Sequence, residues 1–148
     1  MIDIEVLSAN NDDLDSIIKI ENQLEHERYS PDIISATLNN DIYYNIVAKH
    51  NNITLGYLSA TIICDECSLI KIVTDKEYRC QGVATKLINA LQDYCKSKTI
   101  KMIMLEVRDD NKNAIRLYEK CGFEKQGVRL KYYGDADAIL YSKEIDDL

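Results

Sequence analysis

Two residues in the second half of the chain have side chains suited to proton transfer. Glu106 closes the apolar run MIMLEV, and Tyr118 lies in the segment NAIRLYEKCGF. A carboxylate can accept a proton from an amine, and a phenol can donate one to a leaving group. The two-residue period of a strand places Glu106 on the same face as Met102 and Met104. From position alone two alternatives stay open, since Glu106 could be solvated or paired with Arg108, and Tyr118 could be a core tyrosine.

The segment YRCQGVATKLI, from Tyr78 to Ile88, places Gly82 where a strand pattern gives way to a helix pattern. A helix N-terminus offers unpaired N–H donors and a partial positive charge, which together favour an anion. Glycine lets an anion approach the backbone closely, and the small Ala84 leaves further room. The GxGxxG and GxxxxGK[ST] motifs are absent, so neither a dinucleotide site nor a P-loop is predicted. A glycine used only for turn geometry remains the alternative.

Apolar periodicity predicts the elements that position these residues. Alternation indicates a strand near Ile2 to Val6, and helical spacing predicts helices over 10–28 and from Ser30-Pro31 onward, the latter with an apolar face of Ile33, Ile34, Thr37 and Leu38. Further strands are predicted at 43–49, 53–63, 68–74, 102–107, 123–130 and 138–145, and further helices at 84–95 and 111–121, the last ending at Gly122.

The order of these elements predicts the fold. SLIKIVT, a helix and MIMLEV form a β-α-β unit with two parallel strands, and the short joints on either side indicate antiparallel hairpins. We therefore expect an α/β fold of the mixed α+β kind: a mostly antiparallel mixed sheet with a central parallel β-α-β unit and helices on both faces. Residues 1–148 are expected to form a single domain.

Composition limits the partners. The formal net charge of the 148 residues is −7, which argues against nucleic acid or an anionic membrane as the main partner. A basic substrate, such as an amine or a Lys/Arg-rich segment, fits this charge, as does a merely solvated acidic surface. No signal peptide or run of ~20 apolar residues is visible, and the five cysteines are an odd number. The protein is expected to be cytoplasmic, with reduced thiols.

The C-x-x-C of Cys64 and Cys67 does not predict a metal site. Zinc would require a second pair at suitable spacing, which Cys80, Cys95 and Cys121 do not supply. Because the motif lies between two strand patterns, we interpret it as the end of a hairpin.

Several motifs in order resemble one known superfamily. Arg79 to Ala84 is similar to the Q/R-x-x-G-x-G/A signature of the GNAT superfamily of N-acetyltransferases. The resemblance runs from about Ile2 to Ile145 and is densest in DECSLIKIVTDKEYRCQGVATKLI and LEVRDDNKNAIRLYEKCGF. Together with the tail LKYYGDADAI, these segments are most similar to the RimI type, which acetylates the N-terminal alanine of a ribosomal protein. The resemblance implies acetyl-CoA as co-substrate and no metal.

The resemblance also implies which residues bind acetyl-CoA. The pantetheine arm would pair with the strand backbone at Ile72, Val73 and Thr74, and Asn111 and Tyr118 would contact the cofactor further along. The pyrophosphate would meet the loop and first helical turn, formed by Arg79, Cys80, Gln81, Gly82, Val83, Ala84 and Thr85. The chain departs from the family pattern at Cys80, where a basic residue is usual, so binding is expected to be weaker; at Thr85 the family often has a basic or hydroxyl residue.

By the same resemblance, Glu106 is the general base and Tyr118 the general acid. The amine would then attack directly in a ternary complex, without an acyl-enzyme. Cys80 is not expected to act as a nucleophile, because no histidine is placed to activate it.

The leading hypothesis for the acceptor is the N-terminal α-amine of a protein, possibly a ribosomal protein. A small amine such as a polyamine or an aminoglycoside is the alternative, and a non-catalytic acyl-CoA-binding module is a third. Tyr132 and Tyr133 could line the acceptor groove or simply pack, and the resemblance favours the groove; the sequence leaves open whether Tyr29 lines it. In the RimI type a proline and a tryptophan precede the second helix, whereas this chain has ERYSPD, and its loop from Tyr133 to Asp137 is shorter.

Overall fold

One seven-stranded sheet and four α-helices make up the computed structural model, which describes residues 2–145. The strands are β1 (Glu5–Ser8), β2 (Tyr43–His50), β3 (Ile53–Ile63), β4 (Glu66–Thr74), β5 (Met102–Arg108), β6 (Glu124–Arg129) and β7 (Ala138–Glu144). The helices are α1 (Leu14–Glu21), α2 (Pro31–Leu38), α3 (Val83–Ser97) and α4 (Lys112–Lys120). Their order in the sheet is β1-β2-β3-β4-β5-β7-β6.

The strand pairing confirms the predicted mixed sheet. β4 and β5 are parallel, and α3 connects them, while every other neighbouring pair among the described strands is antiparallel. The turn at Cys64 joins β3 to β4 as a hairpin, as the C-x-x-C spacing indicated. α4 gives way at Cys121 to Gly122, which takes the left-handed φ of +92° expected for a residue just after a helix.

Helices cover both faces of the sheet, as predicted. On one face, α1 and α2 bury Ile17, Ile20 and Ile34 against Val47 and Tyr57 of the sheet. On the other face lie the buried side chains of α3 and Tyr118 of α4; the α3 residues in this larger core are Val83, Leu87, Ile88, Leu91 and Cys95. The two cores therefore lie on opposite sides of the same strands.

β4 contains one residue more than its partner strand requires. Ser59 pairs with Lys71 and Ala60 with Leu69, so Ile70 is an extra residue, a β-bulge. The bulge inverts the strand, because Leu69 faces the α3 core and Val73 faces the α1/α2 core. Parallel pairing with β5 also ends there, at Leu69 and Leu105. Beyond this point β4 and β5 diverge.

Two element boundaries and one helix face differ most from the sequence prediction. α1 ends at Glu21 rather than near Arg28, because the Glu21 carboxylate accepts a hydrogen bond from Tyr29 N–H (2.9 Å) and the chain between them folds back. The first strand starts at Glu5 instead of Ile2. Ile33 is 49% exposed, so the buried face of α2 is centred on Ile34.

Gly56 in β3 allows α3 to begin close to the sheet. A Cβ atom there would lie 2.7 Å from Val73 O and 3.0 Å from Val83 Cγ1. Real Cβ atoms do not approach backbone oxygens so closely, so no larger residue fits without displacing β4 or α3. The absence of a side chain at Gly56 thus fixes where α3 begins.

Gly56→Ala is expected to lower the free energy of unfolding by roughly 1–3 kcal/mol, the usual cost of overpacking. The control is Gly127→Ala, whose Cβ would lie at an ordinary 3.6 Å from Leu140 Cδ1. Chemical denaturation of both variants measures the difference. Equal stabilities would show that α3 and β4 adjust freely and would contradict this account of Gly56.

Candidate active site

An open cleft of about 750 Å³ lies on the α1/α2 face of the sheet, beside the point where β4 and β5 diverge. Its floor comes from β4, β5 and β7, and its walls come from the loop 22–30 and from the segment between β6 and β7. The residues that line it are Glu27, Ser68, Leu69, Ile70, Met102, Met104, Leu105, Glu106, Gln126, Arg129, Tyr132, Tyr133, Leu140, Tyr141 and Ser142. The size is typical of a ligand pocket.

Glu106 lies on the floor of this cleft. The strand period places it beside Met102 and Met104, and all three side chains line the cavity, as the sequence predicted. Its side chain is 29% exposed, and Oε1 lies 3.6 Å from a guanidinium nitrogen of Arg129. The alternative pairing with Arg108 is wrong. A carboxylate so placed is accessible to a ligand and lies among apolar neighbours.

Tyr118 belongs to the core on the α3 face of the sheet and does not line the cleft. It is 7% exposed and packs edge to face against Phe123, with ring centroids 5.9 Å apart. Burial raises the pKa of its phenol, and the neighbouring Tyr133 and Cys121 add to this. Tyr118 therefore stays protonated at neutral pH.

A buried ion pair fixes the loop 22–30 over the cleft. Glu21 is fully buried, and its carboxylate accepts hydrogen bonds from the Tyr57 hydroxyl and lies 3.0 Å from Lys71 Nζ. Lys71, which follows the bulge, also donates to Glu27 O (2.5 Å) and lies 3.6 Å from the Tyr29 ring centroid. Because removal of one partner leaves a buried charge uncompensated, such a pair is costly to break. The loop is thus bound to β4 at the bulge.

Arg108 fixes the opposite wall. Its guanidinium donates to Asp110 at 3.1 Å and to Asp135 at 3.0 Å, which joins the end of β5 to the segment between β6 and β7. The same cation lowers the pKa of both carboxyls. The Tyr133 ring stacks on the Arg108 guanidinium, whose Cζ lies 5.4 Å from the ring centroid. Tyr133 also packs edge to face against Tyr132.

The predicted phosphate loop lies at the N-terminus of α3. Gly82 adopts a left-handed φ of +82°, and a Cβ atom there would meet nothing within 4 Å. The first helical bond joins Lys86 N–H to Gly82 O at 3.0 Å, so the N–H groups of Val83, Ala84 and Thr85 precede the helix ladder. Cys80 also has a positive φ, +63°. The geometry offers several donors around open space.

The remaining predicted cofactor residues lie along β4 and at the start of α4. Ile72, Val73 and Thr74 continue β4 beyond its last pairing with β5, so that edge of the strand faces the gap. Asn111 is the N-cap of α4, and its side-chain oxygen accepts a hydrogen bond from Ala114 N–H (3.2 Å). The cap uses the carbonyl oxygen of the side chain, and the amide nitrogen is a further donor.

The cleft therefore brings together Glu106, Tyr132 and Tyr133 from the sequence prediction, whereas Gly82 and its neighbours lie outside the lining. Tyr29 does not line the cleft. It supports the loop 22–30 through its ring contact with Lys71 and its N–H hydrogen bond to Glu21. Sequence reasoning missed Glu27, Arg129 and the Ile70 bulge. Only the bulge leaves a signal: the alternation of buried residues changes phase between Leu69 and Ile72.

Neither a metal cluster nor a membrane-spanning helix is found in the described part of the chain. Residues 2–145 contain no group of three or more His, Cys, Asp or Glu side chains that could hold a metal ion. None of the helices there has the length and apolar character needed to cross a bilayer.

Comparison with known proteins agrees with this geometry. The model of the acetyltransferase (GNAT) family matches residues 11–123. The [ribosomal protein bS18]-alanine N-acetyltransferase of Escherichia coli K12 is 32% identical over 107 residues, which are 70% of this chain and 72% of that protein. The putative enzyme of the same name from Bacillus subtilis is 29% identical over 132 residues, 87% of each chain.

A solved structure extends the match to almost the whole chain. The ribosomal-protein-S18-alanine N-acetyltransferase from Escherichia coli superposes with a TM-score of 0.90 at 27% identity, covering 97% of this chain and 95% of that one. These matches confirm the resemblance that the motifs indicated. The chain belongs to the GNAT family of N-acetyltransferases, which use acetyl-CoA, and it is similar to enzymes of the RimI type.

Proposed function

We propose that this N-acetyltransferase works in the cytoplasm and transfers acetyl to the N-terminal α-amine of a protein. The observation that carries the proposal is the Glu106 carboxylate on the floor of an open, two-walled cleft next to the gap between β4 and β5. The names of the relatives from Escherichia coli and Bacillus subtilis, which specify an alanine of ribosomal protein bS18, support an acceptor of this kind.

The residues beside the gap fit acetyl-CoA. The donors that begin α3, together with the open space at Gly82, suit a diphosphate. The free edge of β4 at Ile72, Val73 and Thr74 suits an extended molecule with two amide groups, which would pair with it as an added strand. Arg79, Cys80 and Gln81 would lie along the diphosphate and Asn111 further along the cofactor.

Acetyl-CoA supplies the acetyl group as a thioester, and the chain supplies the proton transfers. Glu106 takes a proton from the acceptor amine as the new C–N bond forms. Tyr118 gives its phenolic proton to the sulfur as the C–S bond breaks, and its raised pKa keeps that proton available. Glu106 then releases its proton to water and the Tyr118 phenolate regains one, so the products are the amide and the free thiol and no acyl-enzyme forms.

An α-amine suits this chemistry better than a lysine side chain. Its pKa is near 8, against about 10.4 for lysine, so more of it is neutral at physiological pH. The cleft is open and has a volume of about 750 Å³, so it can take a chain that continues past the reacting amine. A small amine is the competing acceptor, and a panel of peptides and small amines in a thiol-release assay distinguishes the two.

Glu106→Gln is expected to reduce turnover by roughly 10²–10⁴-fold, the contribution of a positioned base. The melting temperature should hardly change, since the half-exposed pair with Arg129 adds about 0–1 kcal/mol. Glu66→Gln, an exposed charge at the start of the adjacent strand, is the control and should retain full activity. Steady-state kinetics test this, and an unchanged rate and pH profile for Glu106→Gln would rule out the base.

Tyr118→Phe is expected to slow turnover while acetyl-CoA affinity is mostly retained, because phenylalanine fills the same space without the proton. The control is Tyr44→Phe, a half-buried tyrosine stacked on Tyr94. Since the phenol pKa is raised above its usual value near 10, the wild-type kcat profile should not fall through loss of this proton below about pH 10. Full activity of Tyr118→Phe would make it a packing residue only.

Gly82→Ala is expected to weaken coenzyme A binding roughly tenfold, or about 1.4 kcal/mol, because a methyl group would enter the space assigned to the diphosphate. The matched control is Gly134→Ala, with φ of +83° and equally open surroundings. Both substitutions carry the same left-handed backbone strain, so their stabilities should fall alike. Calorimetric titration of coenzyme A measures the difference, and equal affinities would remove the diphosphate from this loop.

A further inference from the structure

Glu27 places a second carboxylate in the cleft, on the wall formed by the loop 22–30, whereas Glu106 lies on the floor. It belongs to the loop 22–30 and lines the cavity, whereas Glu106 rises from the sheet. Its φ of +58° is a left-handed conformation that is uncommon for a side chain other than glycine, asparagine or aspartate. The surrounding contacts must therefore hold this residue in place.

Those contacts come from the buried ion pair. Lys71 Nζ donates to the carbonyl oxygen of Glu27 itself at 2.5 Å, while the same ammonium pairs with Glu21 at 3.0 Å. Two residues on, Tyr29 N–H donates to Glu21 at 2.9 Å. The fully buried Glu21 carboxylate thus holds the backbone at Glu27 through Lys71 and the backbone at Tyr29 directly. The Glu27 side chain therefore starts from a fixed position at the cleft wall.

The two carboxylates both act electrostatically on Tyr133 in the cleft. Tyr133 lines the cavity, and its pKa is raised to about 12, first by burial and then by Glu27 and Glu106. Among the described residues that line the cleft, only Arg129 carries a positive charge, and it forms an ion pair with Glu106. The described lining of the cleft therefore has two carboxylates against one cation.

We propose that Glu27 is a specificity-determining residue that binds a second positive charge on the acceptor while the reacting amine lies at Glu106. The proposal rests on the proposed function and extends it: the preferred acceptor is a protein N-terminus with Lys or Arg immediately after the acetylated residue. The volume of about 750 Å³ exceeds what one terminal residue fills, so the cleft has room for the next side chain as well.

The test uses two peptides that differ only at the second residue, Lys in one and Gln in the other. Wild type should have the higher kcat/KM for the Lys peptide, and Glu27→Gln should reduce this preference roughly three- to tenfold, mainly through KM. Because the interaction is between partly exposed charges, the preference should also shrink as salt rises from 50 to 500 mM.

Glu25→Gln is the matched control. Glu25 lies on the same loop, is exposed, and does not line the cleft, so the substitution removes the same charge without touching the cavity. The preference should survive it. Coenzyme A affinity and melting temperature of both variants should equal those of wild type.

The outcomes separate the two levels of the argument. Turnover of both peptides with a preference unaffected by Glu27→Gln, or reduced equally by Glu25→Gln, would overturn the role of Glu27 and leave the acetyltransferase assignment intact. No turnover of either peptide by wild type, with turnover of small amines, would overturn the protein acceptor and this inference with it.

Discussion

The single extra residue in β4 is the constraint on which the site depends. Up to Leu69 the strand pairs with β5, and after Ile70 it turns its side chains to the other face and leaves β5. Because the parallel pairing stops at this point, the sheet has a free backbone edge and a gap near its centre. A sheet normally protects its interior backbone by pairing, so an unpaired edge there points to a ligand that takes the place of a strand.

The divergence also divides the work between the two faces. On the α3 face, Gly56 lets the helix approach the sheet and Gly82 starts it in open space, so its first N–H groups lie beside the gap. On the α1/α2 face, Lys71 and Arg108 each bind one wall of the cleft to the strand that carries them. Lys71 directly follows Ile70, so the extra residue in β4 and the residue that binds the loop 22–30 are neighbours in sequence.

Periodicity predicted most of this fold because each element has a strong pattern and a clear end, as with Ser30-Pro31 at α2 and Gly122 after α4. It also placed Glu106 on the correct face of β5, since a strand fixes direction residue by residue. The predicted end of α1 was wrong because Leu24 continues the helical spacing of apolar residues, although it packs against the core from a loop. The direction of Glu27 could not be predicted, because it depends on a buried pair between Glu21 and Lys71, which are distant in sequence and whose charges alone suggest exposure.

Amide hydrogen exchange with and without coenzyme A tests the central claim most directly. The account predicts that the ligand slows exchange at the free edge of β4, from Ile72 to Thr74, and in the first turn of α3, from Val83 to Thr85. The amides of β6 and of the loop 22–30 should change little. Protection confined to the Glu106 cleft, with the β4 edge exchanging as in the free protein, would contradict the idea that the divergent strands receive the cofactor.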